Sequence, residues 1–202
     1  MKKLLTTLGF VSVMALAQPA AAEIERYTLE KPHTQILFFA DHLGFSHSLG
    51  KFTDYSGSFT FNREDPAASS VEVSIPTASL EMNDEAWNTH MKSADFFNVE
   101  KFPTMTFKST AIKVTGEDTA DMTGDLTLLG VTKPVMLHVK HNSSAKHAFS
   151  GKYVSGFSAT GSLKRSDFGM GYGLPAVGDE VEIRIEVEGI REEAEGESPA
   201  NK

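Results

Sequence analysis

The feature that most constrains the fold is a period-two alternation of apolar and polar residues, repeated along the chain. Tyr55, Gly57, Phe59 and Phe61 alternate with Ser56, Ser58 and Thr60, and Val71, Val73 and Ile75 with Glu72 and Ser74. Ala120, Met122, Gly124, Leu126 and Leu128 repeat the pattern, as do Val181, Ile183, Ile185 and Val187. Successive side chains of a strand point to opposite faces, so each run is a strand with one dry and one wet face. Such strands belong to antiparallel sheet, because buried parallel strands read as unbroken apolar runs. Turn signals separate the runs at residues 62–66, 115–118, 130–134 and 176–179. Short strands spaced by turns fold as a sandwich or a barrel.

One segment breaks the pattern. Asn83 is placed to cap a helix whose first turn holds Asp84 and Glu85, where acids suit the helix dipole. Trp87, His90, Met91 and Ala94 then share one face, so the spacing predicts a short amphipathic helix ending near residues 95–97.

The two ends read differently from the middle. Lys2 and Lys3 precede a mostly apolar run over residues 4–17, and Ala20, Ala21 and Ala22 form a small-residue cleavage site. This is the pattern of a secretory signal peptide, cleaved after Ala22. Residues 23–191 are expected to form one domain. Residues 192–202 lack any apolar period and are expected to be a disordered acidic tail. Losing Lys2 and Lys3 moves the formal charge from −8 to −10. That acidity disfavours nucleic acid as a partner. The absence of cysteine excludes disulfides, thiolate metal sites and cysteine nucleophiles. No later segment reaches the roughly 20 apolar residues of a membrane-spanning helix. The expected location is the periplasm.

Few residues form a reactive set. The seven histidines (His33, His42, His47, His90, His138, His141 and His147) make neither an H-x-H pair nor an H-E-x-x-H helix, so no metal site is expected. His138, His141 and His147 read as solvated side chains on a polar strand edge and loop. Residues 44–48 (GFSHS) lack the last glycine of a nucleophile elbow, and residues 167–169 (DFG) lack every companion kinase motif. No catalytic residue, cofactor or enzymatic activity is expected. The 14 phenylalanines carry no polar handle, so the faces they line can be dry. Alternation does not distinguish a barrel packed solid from one that holds an apolar ligand. Lys92, Lys164 and Arg165 are either surface charges with snorkelling stems or cations able to receive an anionic head group.

Longer motifs narrow the choice. Residues 32–45 (PHTQILFFADHLGF), 90–107 (HMKSADFFNVEKFPTMTF), 124–135 (GDLTLLGVTKPV), 157–170 (FSATGSLKRSDFGM) and 178–189 (GDEVEIRIEVEG) resemble, in order, the motifs of the YceI-like polyisoprenoid-binding proteins. The resemblance implies an all-β, antiparallel, lipocalin-like barrel of about eight strands with one short helix. It also implies an apolar tunnel that binds a long-chain isoprenoid lipid, a polyprenyl phosphate or a quinone. On that reading Ile36, Phe38, Phe59, Trp87, Met91, Met105, Phe107, Leu126, Leu128 and Phe157 contact the lipid tail. His42, His90, Lys92 and Arg165 contact its head group. The chain departs from the family pattern at Ala86, Trp87 and Asn88, where charges are common, at Leu129, where histidine or asparagine is common, and at Ala40, where a larger aliphatic residue is common.

Overall fold

The computed structural model describes residues 24–193. The expected signal peptide and the expected tail beyond Glu193 lie outside the described residues. In chain order the elements are β1 (Glu25–Leu29), β2 (Gln35–His42), β3 (Ser46–Phe52), β4 (Ser56–Phe61), β5 (Ser70–Pro76) and β6 (Leu80–Glu81). They continue with α1 (Glu85–Lys92), β7 (Thr104–Val114), β8 (Thr119–Leu128), β9 (Val131–Lys146), β10 (Tyr153–Lys164) and β11 (Val177–Arg191). Eight strands close an antiparallel barrel in the order β1-β4-β5-β7-β8-β9-β10-β11, and the β1–β11 pairing completes the ring. The sheet also runs on from β11 through β2 and β3 to β6. The ends of β11 therefore have different neighbours: residues 177–186 pair with β2, and residues 189–191 pair with β1.

The alternation fixes what faces inward. Val181, Ile183, Ile185 and Val187 line the barrel, while Glu182, Arg184 and Glu186 between them are exposed or outward. On β7 the parity changes at a bulge between Ser109 and Ala111, so Met105 and Phe107 face inward before it and Ile112 and Val114 after it. A bulge puts two residues opposite one, which is why a single alternating phase does not cover this strand.

Three local expectations change. Asp84, not Asn83, caps α1: its carboxylate accepts the Trp87 amide, while Asn83 adopts a left-handed φ of 61°. The helix also stops at Lys92, two residues before Ala94. The third turn is only Leu129-Gly130, with φ of 53° and 75°, and Pro134 lies inside β9. Pro134 pairs with Asp125 of β8, and β10 joins β9 only from Leu137 onward, so the missing N–H breaks no ladder bond on that side.

Three strand glycines make room for phenylalanine rings. A Cβ on Gly50 would lie 2.1 Å from the Phe38 ring, one on Gly124 2.3 Å from Phe107, and one on Gly189 2.3 Å from Phe59. Phe59 in turn stacks on Tyr27, with ring centroids 4.8 Å apart. A side chain at position 189 would push this stack apart beside the β1–β11 closure. Gly189→Val is expected to destabilise the fold by about 1–3 kcal/mol, the usual cost of overpacking. Thermal unfolding of the variant beside Gly156→Val checks this, since a Cβ at Gly156 meets nothing nearer than 3.8 Å.

Candidate functional site

The barrel encloses an apolar cavity of about 670 Å³. Its walls are the inward positions of the ring strands together with β2, and α1 covers one end. Ile36, Phe38, Phe59, Met105, Phe107, Leu126, Leu128 and Phe157 all line it, with Trp87 and Met91 contributed by the helix. All ten residues named for a lipid tail from the sequence thus face one space. Ala40 and Ala120 also reach the lining, leaving room that larger side chains would fill.

The helix end carries aromatic rings. His42 meets Trp87 edge-on at 6.1 Å, and His90 meets both Phe96 and Tyr172, at 5.1 and 5.2 Å. His90 also contacts Asp95, its Nε2 lying 3.2 Å from the carboxylate. Of the residues named for a head group, His42 and His90 therefore belong to this mouth. Lys92 does not line the cavity. Its charge acts on the half-buried Glu81 instead, where it is a minor contributor to a carboxyl held low chiefly by hydrogen bonds from Asn88 and the Asn83 amide.

Arg165 requires a correction. It touches the cavity wall, but its side chain is buried, at 3% exposure, and already committed. Its Nε donates to the Gly178 carbonyl, Nη1 to the carbonyls of Met170 and Tyr172, and Nη2 to that of Val177. Desolvation lowers the pKa of this guanidinium, and the carboxylate of Asp179 pulls the other way. Arg165 thus clamps the loop that carries Tyr172 and offers no free charge to a head group. The short 3-10 turn Arg165–Phe168 aims it inward.

The opposite end is polar, and the sequence reading missed it. Glu25 accepts hydrogen bonds from Tyr27 Oη at 2.7 Å and Arg191 Nη1 at 2.6 Å, and Arg63 Nε lies 3.5 Å away. Arg63 also donates to the Tyr153 hydroxyl. Burial alone would raise the Glu25 pKa, but the Tyr27 and Arg191 hydrogen bonds and the neighbouring guanidiniums outweigh it and lower it. Burial, with Glu25 beside it, pushes Tyr27 up to about 12. His141 sits below this cluster rather than in solvent. Its ring lies 5.1 Å from both Phe61 and Phe157, and its Nε2 is 2.8 Å from Ser144 Oγ. The alternation that carries Val135, Leu137 and Val139 inward reaches His141 two residues later, and that is the signal by which it was identifiable.

Away from the cavity, Glu30, His33 and Glu188 bring one ligand-type atom each within 4.8 Å of one another. Here Glu30 already accepts the His33 amide at 2.9 Å, closing the turn between β1 and β2.

The family model for the YceI-like domain matches residues 27–189. The chain belongs to the YceI family. The UPF0312 protein of Pseudomonas aeruginosa is 42% identical over 192 residues, covering 95% of this chain and 100% of its own. Among solved structures, Burkholderia cenocepacia BcnA superposes with a TM-score of 0.72 at 24% identity, over 79% of this chain and 98% of its own. A polyisoprenoid binding domain from Saccharophagus degradans shares the fold, with a TM-score of 0.60 at 15% identity over 82% of this chain and 98% of that one.

Two outcomes are expected. Arg165→Ala should speed amide hydrogen exchange across residues 169–178 while leaving the ring strands protected, and Arg165→Lys should not restore protection, because an ammonium cannot reach four carbonyls in a plane. Wild-type protection of residues 169–178 in Arg165→Ala would contradict the clamp. For His141, desolvation followed by the Arg63 charge lowers the folded pKa, so the unfolded chain binds the proton more readily. Stability should therefore fall as pH drops through the ordinary histidine range near 6.5. His141→Gln should flatten that part of a urea-midpoint profile, and an unchanged slope would contradict it.

Proposed function

We propose that this YceI-family barrel binds a long-chain isoprenoid-type lipid, either a polyprenyl phosphate or a quinone, and sequesters or carries it in the periplasm. The observation that carries the reading is the single continuous apolar cavity, on which every residue named for a lipid tail converges. An isoprenoid tail loses water along these walls, gaining about 0.8 kcal/mol per buried methylene before ordering costs. His42 and His90 lie where a polar head would rest at the helix end, and Lys92 supplies positive charge outside the lining. The polyisoprenoid binding domain from Saccharophagus degradans, which shares the fold, supports the ligand class. Binding rather than catalysis is supported by the predominantly aliphatic and phenyl character of the walls.

The test is native mass spectrometry of protein purified from its own compartment, followed by organic extraction. A stoichiometric long-chain isoprenoid is expected. Phe107→Asp should abolish retention in a folded barrel by placing a charge against the tail. Ala159→Phe should also reduce it, by occupying the cavity without adding charge. A wild-type protein that stays empty even after incubation with prenyl phosphates and quinones would overturn the proposal.

A further inference from the structure

The rim of the cavity at the helix end is apolar where solvent-facing loops are usually polar. Leu43, Phe45, Trp87, Tyr172 and Leu174 are exposed by 48%, 86%, 41%, 49% and 36%. They stand on neighbouring elements at one end of the barrel. Leu43 and Phe45 flank the apex of the β2–β3 hairpin, whose His42 meets Trp87, and one helical turn on His90 meets Tyr172 of the clamped loop. His42, Trp87, His90 and Tyr172 also line the cavity, so the rim and the interior form one uninterrupted surface.

The hairpin apex is the most telling part. The Phe45 amide donates to the His42 carbonyl at 3.0 Å, and the two residues between them, Leu43 and Gly44, have φ of 58° and 73°. Two residues at positive φ form a turn that favours asparagine or aspartate followed by glycine. Leucine there costs backbone energy. Packing does not return that cost, because Leu43 stays about half exposed. The Asp41 carboxylate accepts the Gly44 amide with both oxygens, at 2.9 and 3.0 Å, which holds the apex out in this shape. The opposite end differs. Val114 and Phe149 stand there on separate hairpins, and Arg63, Glu117 and Asp118 lie among the lining residues.

We propose that this rim docks on the surface of a zwitterionic phospholipid bilayer, seating Leu43, Phe45, Trp87, Tyr172 and Leu174 at the depth of the head groups so that the cavity opens towards the membrane. Tryptophan and tyrosine suit that depth, having an apolar body and one polar atom each. Asp41, Asp84, Glu85 and Asp95 outnumber Lys92 around the rim, and the chain carries a formal charge of −8, which selects a zwitterionic over an anionic surface. The inference extends the proposed function, since a long-chain lipid then passes between bilayer and cavity without crossing water.

The chain holds a single tryptophan, and it is Trp87 on the rim, so the wild-type protein carries its own reporter. Phosphatidylcholine–phosphatidylethanolamine vesicles free of isoprenoid should carry the protein upward on flotation and shift Trp87 emission to the blue. Replacing a third of the lipid with phosphatidylglycerol should weaken this at low salt. Leu43→Asp combined with Phe45→Asp keeps Trp87 and every lining residue, and should lower vesicle partitioning by about tenfold or more. Circular dichroism and the extraction assay establish that the variant is folded and still retains lipid. If wild type does not float, or the double variant floats equally, the docking proposal fails while the cavity reading stands. Flotation with an empty cavity after lipid incubation supports docking and defeats the cavity reading instead. If the blue shift appears with protein concentration alone and sedimentation shows a dimer that Phe45→Asp dissolves, the rim is an interface between copies and the bilayer proposal is overturned.

Discussion

Everything inside this protein depends on how the edge of β11 is shared. A closed barrel has no free edge, and so its alternating strands have only one way to hide their dry faces. Here β11 gives one end of its edge to β1 and the rest to β2. At the β1 end the ring closes on the Tyr27–Phe59 stack, with Gly189 beneath it. At the β2 end the sheet continues outward to β3 and β6, and α1 is laid over the opening, its own Met91 and the following Phe96 and Phe97 packing into the core. One shared edge thus produces a barrel with two unlike ends, one plugged and one lidded.

The polar groups follow the same division. Along the length of the cavity the walls are aliphatic and phenyl, and desolvated charge would be costly there. Charge gathers at the β1 end as a mutually satisfied cluster of Glu25, Arg63 and Arg191, with the hydroxyls of Tyr27 and Tyr153, and Glu117 and Asp118 join Arg63 in the lining there. At the other end the one buried cation, Arg165, is spent on backbone carbonyls. Among the described residues no buried side-chain polar atom is left without a partner. The middle of the cavity therefore offers a ligand almost nothing to hydrogen-bond, and selectivity for a tail can come only from shape and length.

How legible this was varies with the physics involved. The inward faces of β4, β5, β8 and β11 followed from period two, because burial of one sheet face forces it. The cavity itself did not follow, since solid and hollow barrels share the pattern, and only the resemblance favoured a tunnel. Lys92 and Arg165 looked alike as cations near aromatic segments. What separates them is the path of residues 169–178, whose carbonyls reach Arg165 through a fold that spacing does not encode. His141 was hidden for a different reason. Its neighbours in sequence are polar, which masked the fact that His141 continues the inward alternation of Val135, Leu137 and Val139. Asn83 was a plausible cap, yet the Asp84 carboxylate one residue later took the Trp87 amide.

The two ends also differ in how readily they can open. The β1 end is held by ladder bonds, ring stacking and ion pairs that would all have to break together. The lid at the other end is a helix of eight residues with no buried side chain, joined to the barrel through rings and through a loop that one guanidinium anchors. Local opening proceeds where buried apolar contact is least. On the proposed reading, a ligand confined in the barrel would exchange at the helix end, past Trp87 and Tyr172. Any bound tail that packs beneath α1 stabilises the closed lid by mass action. The aromatic side chains that shape the entrance, Trp87 and Tyr172, are also those exposed at the rim, so interior and rim share one set of residues.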